Sequence, residues 1–246
     1  DDVKRFYDNN LHPDKLDLKD QEVYENIFHK GKWIGIFQFT EQGAQRFALQ
    51  AQPRSIIDLS AITSIYRPGP LSAGVDKMYV TAMNDTLSID YGHPIIEEVT
   101  KETFGFLIFQ EQIALLAHRL GDGVTLDEGN LLRKVLTKKG TGKGAQAKEA
   151  IYNKFISGCI KKGIGKEKGE ELWKKFEYFS GYGFNKSHAV SYSIISFQCA
   201  WLYNYYPTEW MCSFLDREPD TRKEKAINIA KSHGFSVSDI DINLSG

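Results

Sequence analysis

The sequence predicts a mainly α fold, a multi-helix protein with at most short extended segments. Three observations carry this. Apolar residues recur every three to four positions through most of the chain, capping residues precede these runs, and Gly or Pro closes them. The 246 residues suffice for a substantial core, and 41% hydrophobic with 26% charged residues exclude a disordered or collagen-like chain.

The elements follow in order. "DLKDQEVYENIFHKG" predicts a helix over 20–30, with Gly31 as the left-handed residue that ends it. "GIFQFT" predicts a short extended piece, after which Thr40 is the expected cap of "EQGAQRFALQ". Ser55 is placed to cap "IIDLSAITSIY", where Ile57, Ala61 and Ile65 share a face, and Pro68 and Pro70 require that helix to stop by Arg67. In "FGFLIFQEQIALLAHRL", Phe109, Ile113, Leu116 and Leu120 mark a core helix.

Thr125 and Glu128 have capping-box spacing and start a helix whose exposed side carries Asn130, Arg133, Lys134, Thr137 and Lys138. "GTGKG" at 140–144 predicts a flexible loop. Amphipathic helices follow near 146–162 (Ile151, Phe155, Cys159) and 166–179 (Leu172, Phe176, Phe179). A glycine-rich turn then feeds a long helix with Ile194, Phe197 and Trp201 in register, ended by Pro207. A second capping box, Thr221 to Glu224, opens a last helix that Gly234 closes.

Three scattered cysteines, Cys159, Cys199 and Cys212, exclude a disulfide framework or a Cys-x-x-Cys zinc site and fit a reducing, cytoplasmic compartment. The opening "DDVKRFYDNN" has no apolar segment and no initiator Met, so no signal peptide is expected there, and the chain fits an internal stretch of a longer protein. Residues 189–208 are uncharged, but Ser191, Ser193, Ser196, Gln198 and Asn204 favour a buried helix over a membrane span.

The net charge of −1 hides a basic stretch: thirteen Lys or Arg against four Glu between Arg133 and Lys175, a balance of +9. Such segregation attracts phosphates, although a solvated helical face fits the same count.

"TKKGTGKG" and "GIGKEKG" both lack the Ser or Thr that a phosphate-binding P-loop needs after its Lys, which removes support for an ATPase. Asp239 and Asp241 in "SDIDIN" alternate as two carboxylates on a strand could to hold divalent cations, though solvent-facing acids near a terminus are commoner. Against these, "GYGFNKSH" gathers Tyr182, Asn185, Lys186 and His188, with Ser187 as an expected N-cap. A helix start there suits a phosphate, Tyr182 can stack on a base or sugar, and His188 can donate to a phosphate oxygen. The turn also fits capping and packing alone, with Gly181 and Gly183 supplying unusual dihedrals, Phe184 filling the core and Lys186 in solvent.

Taken together, "GIFQFTEQG", "LSAITSIYRPGPLSAG", "FGFLIFQEQIALLA", "LLRKVLTKKG", "GYGFNKSHAVSYS" and "YPTEWM", in this order, resemble bacterial replicative DNA polymerase III α subunits, the family C DNA polymerases, of the general type. The resemblance implies that residues 1–246 are a fingers region of a larger polymerase, with a subdivision into a palm-proximal part, 1–95, and a nucleotide- and DNA-contacting part, 96–246. It implies dNTP binding by Arg133, Lys134, Tyr182 and His188, with Lys134 standing where the family has a second Arg. Lys138, Lys139, Lys143 and Lys186 are the expected DNA contacts, and Arg67 would lie near the palm boundary.

The implied partners are primer-template DNA, dNTP and the remainder of the α subunit, with no membrane. No catalytic residue is matched: the three palm aspartates that hold two Mg2+ in the family lie upstream, so Mg2+ is expected in the complete polymerase and not on this chain. The isolated chain is accordingly expected to be inactive. Two other functions fit the sequence: a non-catalytic helical module that binds nucleic acid, and one half of a split polymerase.

Overall fold

The computed structural model describes residues 3–4, 10–136, 143–181 and 183–238, apart from the side chains of Leu87 and Lys143. It is mainly α, as the sequence predicts, and among the described residues the only extended pairing is an isolated bridge between Phe109 and Phe184. Asp20 caps the first turn, its Oδ1 accepting the Glu22 N–H at 3.1 Å. From there α1 (Gln21–Val23) continues as a π-helical turn, Tyr24–Phe28, before Gly31 reverses the chain at φ +71°. Five helices follow: α2 (Gln42–Ala51), α3 (Ile56–Ile65), α4 (Pro68–Ser72), α5 (Val75–Asn84) and α6 (Pro94–Thr100). Next come α7 (Gln110–Leu120), α8 (Leu126–Leu136), α9 (Lys143–Lys161) and α10 (Lys166–Ser180). The last three are α11 (Lys186–Tyr205), α12 (Pro207–Arg217) and α13 (Asp220–Ser232).

Several local expectations are corrected. Residues 35–40 are turns and not an extended piece: Gly35 at φ +71° and Gln38 at φ +69° curl the backbone. The Ile36 N–H therefore reaches Trp33 O, and the Phe39 N–H reaches Ile36 O. Glu41, not Thr40, stands at the N-cap of α2. Asn185 replaces Ser187 as the cap of α11, and Thr221 lies inside α13, which begins directly after Pro219. Lys143 and Gly144 already belong to α9, while 140–142 of the expected loop fall outside the described residues.

Helix α3 is buried almost all round, beyond the single face that Ile57, Ala61 and Ile65 suggested. Leu59, Ser60, Ala61, Ile62, Ser64 and Ile65 all lie inside. The serines are tolerated there because Ser60 donates to Ile56 O and Ser64 to Ser60 O, both at 2.6 Å.

Backbone contacts divide the chain into two units, one comprising Asp1–Ser55 with Ile194–Gly246 and the other Ile56–Ser193. In the first, aromatic packing joins pieces far apart in sequence. Tyr24 lies 5.2 Å from Phe197, and the Trp210 indole donates to Ile34 O at 2.9 Å. A Cβ on Gly35 would come within 2.8 Å of the Trp210 ring, so this turn needs glycine for space as well as for its positive φ.

In the second unit, the expected periodicities build one core from α7, α8, α9 and α10. Ile113, Leu116, Leu120, Leu132, Ile151, Phe155, Cys159, Leu172 and Phe176 are all buried. The Thr125–Glu128 capping box forms as predicted, with the Thr125 N–H donating to Glu128 Oε2 at 2.9 Å and the Glu128 N–H to Thr125 Oγ1 at 3.1 Å. Lysines of α9 hold the α7–α8 end: Lys154 pairs with Glu128 at 2.6 Å and Lys161 with Asp122 at 2.5 Å. Helices α7 and α8 touch backbone to backbone at Gly129, where a Cβ would sit 2.5 Å from Ala114 O.

Candidate functional site

The site in the Ile56–Ser193 unit begins with a buried glutamine. Gln112 Oε1 accepts the N–H groups of Ile108 and Phe109, each at 2.9 Å, and its amide donates to Thr103 Oγ1 at 2.7 Å. This holds the chain extended as it enters α7. The extended segment receives the Gly183–Phe184 backbone: the Phe184 N–H donates to Ile108 O at 3.0 Å, and the Gln110 N–H donates to Phe184 O at 2.9 Å. Gln110 Nε2 closes the clasp on Gly183 O at 2.8 Å. Gly183 packs closely, since a Cβ there would meet Gln110 Cγ at 3.1 Å and Phe179 O at 3.3 Å, while Gly181 has an ordinary φ of −71°.

Next along α7, Glu111 faces the start of α11. Its Oε2 accepts the Lys186 N–H and its Oε1 the Asn185 amide, both at 3.0 Å. Arg133 of α8 approaches the same carboxylate at 4.0 Å. Asn185 Oδ1 then accepts the His188 N–H at 2.9 Å and the Ser187 hydroxyl at 2.7 Å. Glu111 thus links the Arg133 guanidinium to the Asn185 amide and the Lys186 backbone N–H, and Asn185 in turn holds the His188 backbone N–H.

Lys186 is not left in solvent: its Nζ pairs with Glu102 at 2.5 Å and lies 5.7 Å from the Phe109 ring centre. Phe184 is half-buried, with the Arg67 guanidinium 4.9 Å from its ring centre, and does not fill the core. From Phe184 an aromatic ladder climbs the exposed side of α11, through His188 at 5.4 Å to Tyr192 a further 4.2 Å on. Lys134, beside Arg133 on α8, is exposed.

Tyr182, Lys138 and Lys139 lie outside the described residues, as do the Lys143 side chain and Asp239 and Asp241. Of the basic stretch, Lys148, Lys154 and Lys161 are engaged in internal ion pairs with Glu177, Glu128 and Asp122. The charge count thus overstates the free positive field, because part of it holds helices together. Glu111, Gln112 and Tyr192 escaped sequence reasoning; the four-residue spacing of Phe184, His188 and Tyr192 was the signal available for the last.

Among the described residues, no three His, Cys, Asp or Glu side chains are grouped to hold a metal ion. Burial pushes the Cys159 thiol up to about 11, only partly countered by Lys162, so it stays protonated and unreactive. A cavity of about 360 Å³ belongs to the other unit, lined by Leu11, Leu16, Trp201 and Trp210 among others, and none of the predicted site residues borders it. Among the described residues, no helix is long and apolar enough to cross a membrane.

Comparison with known proteins identifies the lineage. The family model described as the bacterial DNA polymerase III alpha subunit finger domain matches residues 1–172. The chain belongs to this finger-domain family. Relatives extend the match past that point. DNA polymerase III subunit alpha of Aquifex aeolicus (strain VF5) is 36% identical over 232 residues, covering 94% of this chain and 20% of the relative. The protein of the same name from Borreliella burgdorferi is 36% identical over 222 residues, covering 89% of this chain and 19% of the relative. That of Halalkalibacterium halodurans is 31% identical over 251 residues, 99% of this chain and 22% of the relative, so the match runs through the Gly181–His188 turn. The chain spans about a fifth of the length of these relatives.

Proposed function

We propose that this chain is the finger module of a replicative DNA-directed DNA polymerase, binding the incoming dNTP and the primer-template while catalysis is completed by residues outside it. The observation that carries the proposal is the convergence of Arg133 with the Asn185–His188 turn around Glu111. In nucleotidyl transfer the primer 3′-hydroxyl attacks the α-phosphorus and pyrophosphate leaves, so a finger module contributes by orienting the triphosphate and stabilising its charge. Arg133 offers a planar fork of donors to phosphate oxygens, Lys134 adds a compact charge, and His188 donates from an exposed ring. Tyr182 packs on the sugar or base. Lys138, Lys139, Lys143 and Lys186 reach DNA phosphates, with Lys186 exchanging Glu102 for a phosphate.

Residues 1–95 form the palm-proximal part in this proposal, and 96–246 the part that meets nucleotide and DNA. The described residues offer no grouped ligands for Mg2+, which in this proposal is held by the remainder of the polymerase. The remaining partner is the rest of the α subunit, and its compartment is the cytoplasm.

The test is single-nucleotide incorporation by the full-length polypeptide carrying this segment. Losing one charge-assisted phosphate contact costs about 1.5–3 kcal/mol, so Arg133→Ala should raise the KM for dNTP by roughly 10- to 100-fold. An unchanged KM contradicts the proposal. Retention of DNA with no nucleotide dependence would instead favour a non-catalytic nucleic-acid module.

A further inference from the structure

Glu111 is an acidic side chain among the Arg133 guanidinium, the Asn185 amide and the Lys186 N–H, where Glu102 already pairs with the Lys186 ammonium. An acid beside a proposed phosphate site repels the ligand unless it does something else. Its contacts show what else it can do. One oxygen is taken by the Lys186 N–H and the other by the Asn185 amide, both at 3.0 Å, while Arg133 stands off at 4.0 Å. At 4.0 Å the carboxylate attracts the guanidinium through charge without a close hydrogen bond, and the five N–H donors of an arginine leave several for a ligand.

Glu111 is also where three elements meet. It projects from α7, Arg133 from α8, and Asn185 and Lys186 form the entry to α11. The backbone contact at Ala114 and Gly129 sets this arrangement. One turn earlier on α7 lies Glu111, and one turn later on α8 lies Arg133, so the close approach places the pair opposite each other. Glu102 neutralises Lys186 separately, which leaves the Glu111 charge for Arg133.

We propose that Glu111 is a positioning residue, which fixes Arg133 against the Asn185–His188 turn so that the guanidinium and His188 act on one triphosphate. The inference rests on the nucleotide role proposed for Arg133. Without the Glu111 charge, Arg133 samples more rotamers and is misplaced for part of the time, which weakens nucleotide capture.

The experiment is a double-mutant cycle in the full-length polypeptide, using wild type, Glu111→Gln, Arg133→Ala and the double variant, with KM and kcat for single-dNTP incorporation as readouts. Glu111→Gln should raise the nucleotide KM about fivefold with kcat within about twofold, and should add nothing once Arg133 is already Ala. Glu111→Asp keeps the charge and should recover part of the loss; it also serves as the second variant if Glu111→Gln lowers the thermal midpoint. An unchanged KM in Glu111→Gln alongside a raised KM in Arg133→Ala overturns the positioning role alone. An equal effect of Glu111→Gln in both backgrounds overturns it too, since the residue would then act independently of Arg133. An Arg133→Ala enzyme with wild-type KM overturns both proposals.

Discussion

Replacing Gly129 with Ala tests whether the α7–α8 contact sets the site. The new Cβ would lie 2.5 Å from Ala114 O and 3.2 Å from the Ala114 carbonyl carbon and Cα. These are backbone atoms of a helix and cannot swing aside. Ordinary contact lies near 3.5 Å, so α8 must move by about 0.5–1 Å. Overpacking of this kind costs about 1–3 kcal/mol, and the higher helix propensity of Ala returns about 1 kcal/mol. Against an unyielding carbonyl the upper part of that range applies, giving a net loss of about 1–2 kcal/mol. Urea unfolding of the chain followed by circular dichroism measures it. Gly144→Ala is the control, because the nearest atom to its Cβ would be Val135 Cγ1 at 3.9 Å, and stability there should be unchanged or rise by up to about 1 kcal/mol. Gly129→Ala at wild-type or higher stability would refute the argument that close backbone approach fixes α8, and with it the account of how Arg133 reaches Glu111.

Two further outcomes bear on the scaffold. Gln112→Leu leaves the buried N–H groups of Ile108 and Phe109 without an acceptor, so a loss of about 2–4 kcal/mol is expected, together with faster hydrogen exchange at those two amides. Hydrogen bonding from Lys154, then from the Thr125 N–H, holds the Glu128 carboxyl below its usual value. The native state therefore gains stability from Glu128 above the unfolded carboxylate value, near pH 4.5, and loses it as the pH falls through the lower native value. A Glu128→Gln chain should be less stable near pH 7, with the gap to wild type closing below about pH 4.5; a thermal-midpoint series that shows a constant gap contradicts this.

Much of the fold was legible because it is local. The apolar spacing of Ile113, Leu116 and Leu120 and the Thr125–Glu128 box specify their helices with no tertiary information. The errors occurred where sequence offers equivalent choices or where distant segments decide. Asn185 and Ser187 are both good caps, and the tie falls to Asn185 because its amide also reaches Glu111 across the fold. The turns at 35–40 follow from a positive φ at Gln38, a residue type that gives no warning of it.

The candidate site was proposed from sequence because the Arg133 and Gly181–His188 stretches carry a pattern of cations, amide and rings. Glu111 was not, since an acid in the first turn of a helix looks like an ordinary partner of the helix dipole. Gly129 was hidden for a related reason: an isolated glycine in a helix signals close approach only when the opposing backbone is known.

The central claim is that Arg133 and His188 act on one triphosphate, and a structure of the full-length polypeptide with primer-template and a non-hydrolysable dNTP tests it most directly. The account predicts phosphate oxygens within about 3.5 Å of both the Arg133 guanidinium and the His188 ring, with Glu111 still on Asn185 and Lys186. A triphosphate bound elsewhere, with Arg133 and His188 both facing solvent, would contradict it.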